Sequence, residues 1–582
     1  MCLTKSSLIA SRFLITEMIW HNNQCHAIEI AADLAHERFA AVPSTPSVRN
    51  LPLFRAMENG KTSVSANKRC NSEVTTTMKD EANRNIKRIA MLATFFVLAS
   101  LSSATAQRGI PAPRPQLHDF SAHVFNGPTP FIRFVQINID DSGGFDFAQF
   151  VISPKTGSAT RPMSVRYARS YLESRGYLDT HTGKLTVPIF GLYAGRANRV
   201  AIHLGFSGRI HPIIRLSLLI RTPRYDGGTY SHPTVVQSPL PGSFLSYDFI
   251  LLKNSADPTT PIIIDTDAEV RWIGTAGVGV TTCMMFDNAF YLAAGTELLR
   301  TEFDGRTYVV ADYANAGVVR FHHNIDPGRD GMILDVDTAD QSESVNMEVD
   351  AEGTVLRTWK LADIISAAMI AGGDDPHLFV YPAPNDWFHN NACAYRSSDN
   401  SLIVSSRENF VIGLDYDSGI VKWILGDPTK YWYQFPSLRQ FSLTLVPGTL
   451  PPIGQHALSV PGDELLLFDD GTGSDFQQPP GETRNYSAPR KYQLDLHAHT
   501  ATEIWHYYPD PSVYSPFCSS VYEDAPNNYL IDYSEGGPNL YTAVVGLDRS
   551  GNVAFNYRYQ LREFCNTAWN AIQIHWENLN LE

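Results

Sequence analysis

Basic residues are scarce in this chain. Lys and Arg number 46 against 60 Asp and Glu over 582 residues, a formal net charge of −14. No Lys/Arg cluster interrupts that balance, which excludes nucleic acid and an anionic membrane surface as partners. Cysteine is also sparse, with seven in all and no C-x-x-C spacing, so zinc-ribbon and thioredoxin-like chemistry is excluded. No G-x-x-x-x-G-K-[ST] loop is present to cradle a nucleotide phosphate. Helical periodicity is rare, and the segment Leu361 to Ile370 carries its clearest instance. Low-complexity tracts are missing. The composition, 43% hydrophobic and 18% charged, is that of a folded protein. Its length suggests more than one domain.

The N-terminal part reads as targeting. Lys87-Arg88 precede an apolar run from Ile89 to Leu101, and Ala104-Thr-Ala106 forms a small-x-small site before Gln107. The run is shorter than the roughly 20 residues a membrane span needs, so a cleaved secretory signal at 78–106 is expected rather than a stable membrane anchor. Signals begin near a start codon. Met78 is therefore read as the true start and residues 1–77 as an over-extended N-terminus outside the fold. The expected location is periplasmic or secreted. Four cysteines remain beyond the signal, Cys283, Cys393, Cys518 and Cys565. In an oxidising compartment they allow three pairings, which the sequence leaves open.

What is abundant is β pattern. From Pro128 to about Leu252, strand-like runs such as Phe131 to Asn138, Met163 to Tyr167, Arg199 to His203 and Ile213 to Ile220 alternate with Gly, Pro, Asn and Asp. Residues 107–252 read as a small β-sandwich, with Gly191 and Asn198 at turns needing positive φ. Beyond residue 253 a weak repeat sets in: a strand, a turn with Asp and usually Gly, and a second strand. Copies begin near Asp265, Glu302, Val349, Asp415 and Leu547. A hairpin repeated in this way is the unit of a β-propeller blade, so 253–582 is expected to be a propeller that carries the catalytic site. A plain sandwich or barrel is the runner-up.

Against this frame one stretch stands out. His389 and Asn391 form H-x-N, Arg407 follows in Ser405-Ser-Arg407, and His456 follows Gly454-Gln455. Each lies beside a strand-like run. Propeller inner strands converge on one mouth, which groups these residues with His323 of the His322-His323 pair. In a strand, His389 and Asn391 would share a face. A neutral imidazole can be a nucleophile, a second can move a proton, and Arg with an amide can hold an oxyanion. The set suits transfer of an anionic group. Cys393 reads as a buried or bridging thiol. Trp387 and Tyr431-Trp432 could stack on an aryl group, though most such rings should be core.

These motifs resemble the arylsulfotransferase family, sulfotransferases that need no nucleotide sulfate donor. The resembling segments are Val187 to Val200, Phe321 to Leu334, His389-Asn-Asn391, Ser405-Ser-Arg407, Gln455-His456, Asp469-Asp-Gly471 and Arg484 to Ser487. The resemblance implies a six-bladed propeller behind an N-terminal β-sandwich. It implies a sulfohistidine at His456, formed and discharged in ping-pong fashion. His389 would bind sulfuryl oxygens or assist proton transfer to the phenolate, Asn391 would donate to the sulfuryl group, and Arg407 would clamp it, a task to which Lys is poorly suited. His323 is preferred over His322 for the remaining place. Expected partners are an aryl sulfate donor and a phenolic acceptor. No cofactor or metal is implied, and a homodimer is left open. Asp470 departs from the asparagine of the family pattern, with an effect expected on a turn more than on chemistry. The alternative from another class is a non-catalytic propeller that binds sulfated or carbohydrate ligands.

Overall fold

The computed structural model describes residues 121–582 apart from 209–212, 241–243 and 510–511. The expected signal segment and residues 1–77 lie outside the described residues. The described chain is nearly all β. Alternation builds the first part. In Met163–Ala168, Met163, Val165 and Tyr167 are buried while Arg166 points out. Two sheets formed this way share one core, which includes Phe150, Val165, Val187 and Ile202.

Beyond them, strands change character. Ile262–Asp265 and Leu465–Asp469 are buried along their whole length. Such strands are covered on both faces, as sheets stacked around a ring require. Six sheets of four or five strands follow one another among the described residues. Their innermost strands are Asn570–Ile574, Cys283–Phe286, Val318–Pro327, Asn390–Arg396, His456–Ser459 and Ser520–Ala525. Successive innermost strands from the second sheet to the sixth, and the sixth and first, pack on one another. This is a propeller-type arrangement.

Closure of the ring crosses the boundary expected at 252/253. Phe249–Lys253, just ahead of it, pairs inside the first sheet with Asn570–Ile574 from the far end of the chain. Thr234–Gln237 adds an outer strand to the sixth sheet beside Val553–Gln560. Asn578–Leu581 returns to the N-terminal sheets, parallel to Met163–Ala168. The chain thus ties both parts together with strands from each end, which sequence order conceals.

The outer hairpins explain the repeat. In each sheet an aspartate side chain accepts backbone N–H groups at the turn. Asp265 takes those of Asp267 and Glu269, Asp304 that of Arg306, Asp350 those of Glu352 and Thr354. Asp415 takes the N–H of Ser418, and Asp548 those of Ser550 and Asn552. A sixth copy, unseen in the sequence, lies at Asp495, which accepts from His497 and Ala498. Its left-handed position is His499, φ 56°, where Gly305, Gly353, Gly419 and Gly551 stand in four others. Gly191 has φ 77° as expected. Asn198 does not: it lies in the strand Ala197–Phe206 and its amide bridges the backbone N–H and C=O of Tyr193. The expected helix is present as Leu361–Ala371. No helix among the described residues is long and apolar enough to cross a membrane.

Candidate active site

The sequence-selected residues sit where innermost strands begin. His323 lies within Val318–Pro327, His389 precedes Asn390–Arg396, and His456 opens His456–Ser459. Backbone strain marks the same places. His323, His389 and Ala457 have φ of 47°, 55° and 54°, a region that non-glycine residues enter only when their surroundings hold them there. Each innermost strand also shifts register here against its neighbour. The expectation that His389 and Asn391 share a strand face therefore fails, because the left-handed turn and the bulge break the two-residue period.

His323 and His389 lie together, ring centroids 4.6 Å apart. Glu343 sits between them, its Oε2 2.9 Å from His323 Nε2 and 2.8 Å from His389 Nδ1. Asp386 adds a second carboxylate on His389 Nδ1, at 2.5 Å. Burial alone would depress the His389 pKa, but Asp386 and Glu343 outweigh it and hold it well above the imidazole range. The same pairing overcomes burial at Glu343 and holds its carboxyl well below its usual value. His389 is thus held as an imidazolium, with both carboxylates on Nδ1 and no hydrogen bond at Nε2 among the described residues. His322 is the odd member of its pair. Both its ring nitrogens are buried without a hydrogen-bonding partner, and burial pushes its pKa down to about 4. Donor atoms of His322, His323 and Glu343, and of Glu343, Asp386 and His389, lie within 4.8 Å of one another. Those spacings could hold a divalent ion, although the carboxylates already pair with the imidazoles.

His456 has the opposite environment. It is buried, and its Nδ1 lies 3.2 Å from the Gly454 carbonyl. A carbonyl only accepts, so Nδ1 carries the proton and Nε2 the lone pair. Burial, then the charges of Arg407, His389 and His323, hold the ring well below its ordinary pKa, neutral and nucleophilic. Asp470 Oδ2 stands 2.7 Å from the same Nδ1, off the direction of a hydrogen bond. Asp470, expected to act on a turn more than on the chemistry, lies with its carboxyl fully buried against the ring.

Arg407 is 3% exposed. Nη1 is engaged by Glu408 at 2.6 Å and Asp475 at 3.1 Å, while Nε and Nη2 have no hydrogen-bonding partner among the described residues. Lys430 braces the turn beneath it, its Nζ donating to the carbonyls of Arg407 and Glu408. Asn391 uses one amide N–H on the Gln455 carbonyl at 2.9 Å. Gln455 in turn donates to the carbonyls of Ser406 and Phe410, so these amides lock the fourth sheet to the loop that presents His456.

Several residues at the site were not chosen from the sequence. Trp569, ahead of Asn570–Ile574, stacks on His323 with centroids 4.9 Å apart and meets His456 edge-on at 5.5 Å. Phe517 lies under Arg407, ring to guanidinium 4.7 Å. The Cys518–Cys565 disulfide ties the loops that carry both rings, and Cys283 and Cys393 are free and buried. Trp387 and Trp432 belong to the core instead. Glu343 and Asp386 were missed as well. Asp386, three residues before His389, was the legible one.

Residues 238–557, more than half of the chain, match the family described as Arylsulfotransferase (ASST). The arylsulfate sulfotransferase AssT of Escherichia coli O6:H1 is 28% identical over 255 residues, which cover 36% of this chain and 41% of that protein. AssT of Lelliottia amnigena is 29% identical over 240 residues, 34% of this chain and 40% of its own length. The chain thus matches about two fifths of these curated relatives. Among solved structures, a Bacteroides thetaiotaomicron protein of unknown function covers 76% of this chain and 98% of its own at 11% identity and a TM-score of 0.27. BamB of Moraxella catarrhalis covers 63% of this chain and 96% of its own at 9% identity and a TM-score of 0.23. Likenesses that weak carry no argument.

Proposed function

The chain belongs to the arylsulfotransferase (ASST) family, and we propose that it moves a sulfuryl group from an aryl sulfate ester to a phenolic acceptor through a sulfated His456. One observation carries the reading: a buried neutral imidazole stands near a buried guanidinium with two unused donors and a carboxylate-held imidazolium. Nε2 of His456 attacks sulfur. Arg407 Nε and Nη2 take the oxygens that gain charge as the S–O bond to the aryl group breaks. His389 Nε2–H stabilises the departing phenolate, and Glu343 and Asp386 keep that proton in place. His323 is held by Glu343 and by the face of Trp569, and lines the path of the group. Asn391 keeps the Gln455-His456 loop in register. Trp569 and Phe517 are the rings an aryl substrate meets. The acceptor phenol then takes the group from His456.

Export is part of the proposal. It is supported by the apolar run from Ile89 to Leu101 and by the Cys518–Cys565 disulfide. N-terminal sequencing tests both calls: protein absent from the periplasm and medium opposes export, and a mature chain that retains residues before Met78 opposes Met78 as the start. For the chemistry, brief exposure to an aryl sulfate without acceptor should add one sulfuryl group to the peptide containing His456. Tight binding of the ester with no adduct would favour a binding module instead.

A further inference from the structure

Asp470 puts a carboxyl group where the family pattern has an amide. Its two oxygens are buried, neither has a hydrogen-bonding partner, and Oδ2 lies 2.7 Å from His456 Nδ1. The Nδ1–H is directed at the Gly454 carbonyl, which can accept a hydrogen bond but not keep a proton. Other charged groups facing His456 and Asp470 are Arg407 from the fourth sheet, His323 from the third, His389 at the start of the fourth, and Asp469 on the same strand. Asp469 is already engaged by Arg484 and Arg490. Asp470 is therefore the unengaged carboxyl beside the nucleophile.

We propose that Asp470 is a positioning residue that takes the Nδ1 proton of His456 once the sulfuryl group is on Nε2, and so sets the lifetime of the sulfated enzyme. The inference rests on His456 being the sulfuryl carrier. In the first step the Nε2 lone pair forms the N–S bond. The S–O bond to the aryl group breaks, and its electron pair leaves on the phenolate. The ring is now cationic and its Nδ1–H is far more acidic. With Asp470 ionised, the Nδ1–H bond breaks and an Oδ2–H bond forms, leaving a neutral imidazole ring that carries the anionic sulfo group beside a neutral acid. That species holds its sulfuryl group, because departure would release an imidazolate. Return of the proton from Oδ2 to Nδ1 makes the leaving group a neutral imidazole and discharges it to the acceptor. An amide in the same place could not take the proton.

Below its own titration Asp470 already carries a proton, the ring keeps Nδ1–H, and the intermediate is short-lived. Above it the intermediate is long-lived. Burial, with Asp469 adding to it and Arg407 and His389 opposing, pushes the Asp470 pKa well above the carboxylate range, so the change lies at higher pH than an ordinary aspartate would give.

The test uses the mature secreted protein and its Asp470→Asn variant. Each is loaded with an aryl sulfate, freed of donor, and followed by mass spectrometry of the His456 peptide from about pH 5 to about pH 9. The expected result is a wild-type adduct lifetime that lengthens about 100-fold across the range. The variant should stay at the short, low-pH lifetime throughout. Coincident profiles overturn the proposal. A flat wild-type profile overturns it by itself, even if the variant does not fold. A wild-type protein that never carries an adduct on His456 overturns the transfer reading, and this inference with it.

Discussion

His389, half-buried, and His456, buried, stand at the start of adjacent innermost strands, and the protein has made them opposites. His389 has Glu343 and Asp386 on one nitrogen and is held as a cation. His456 has a carbonyl on its protonated nitrogen, a guanidinium nearby, and is held neutral. Burial depresses both. Two carboxylates outweigh burial at His389, while at His456 the positive charges of Arg407, His389 and His323 add to it. The lesson is that residue type does not assign the roles here. Carboxylates contributed by the third sheet and by the loop ahead of the fourth hold His389 as a cation, and His456, which has neither of them, is left neutral.

The comparison breaks most sharply at the nucleophile. His456→Ala should lower transfer by about 1000-fold or more and remove the sulfuryl adduct altogether, because covalent catalysis loses its only carrier. Retained adduct on another residue would move the nucleophile elsewhere. Next in size is Arg407→Lys. The charge survives, but the fork with free Nε and Nη2 does not. A loss of about 100-fold in kcat/KM is expected, near the effect of deleting an oxyanion donor. A change under about 3-fold would show that Arg407 only braces Glu408.

Glu343→Gln tests whether carboxylates set the difference between the two histidines. The His389 pKa is raised in the folded protein, so its cationic form, and activity that needs it, persist until the pH rises through that raised value. Removing one carboxylate lowers that pKa and moves the alkaline limb of the pH–rate profile to lower pH. Near pH 6 the variant should be within a few-fold of wild type, and near pH 9 it should be about 10-fold slower. Stability follows the same signs. The depressed Glu343 contributes above its unfolded pKa and loses this as pH falls through the folded value. The His389 contribution is complete below the unfolded imidazole pKa and is lost as pH rises through the folded one. Urea midpoints against pH should therefore show the variant weakest relative to wild type between about pH 5 and about pH 6, and an unshifted profile sinks the account.

Much of this was legible in the chain because period and turn chemistry are local. Turns opened by Asp announced five of six outer hairpins, four of them with Gly at the left-handed position and one with Ala268 (φ 60°); the sixth has His499 there. His323, His389, Arg407 and His456 could be grouped because each begins or follows a strand-like run. Their partners could not. Glu343 follows a turn between two strands of the third sheet, and Trp569 precedes the strand that closes the ring from the far end of the chain. Neither carries a motif, and their proximity exists only once the sheets meet. Asp470 was visible as a departure, but its contact with His456 is one between neighbouring strands, which sequence order does not show.

Trp569 is the element that touches both histidines, face to His323 and edge to His456. Trp569→Leu should sharpen the comparison with the smallest effect. If the indole is the surface an aryl group packs on, KM for aryl sulfates should rise about 5-fold to 10-fold, the size of one aromatic contact, with kcat little changed. An alkyl sulfate, which has no ring to stack, should show no such rise. If the indole instead only spaces the two imidazoles, kcat falls equally for both donors and KM stays put. That outcome would remove Trp569 from substrate recognition. It would also make the separation of His323 from His456, rather than the charge on each, the quantity the aromatic wall controls.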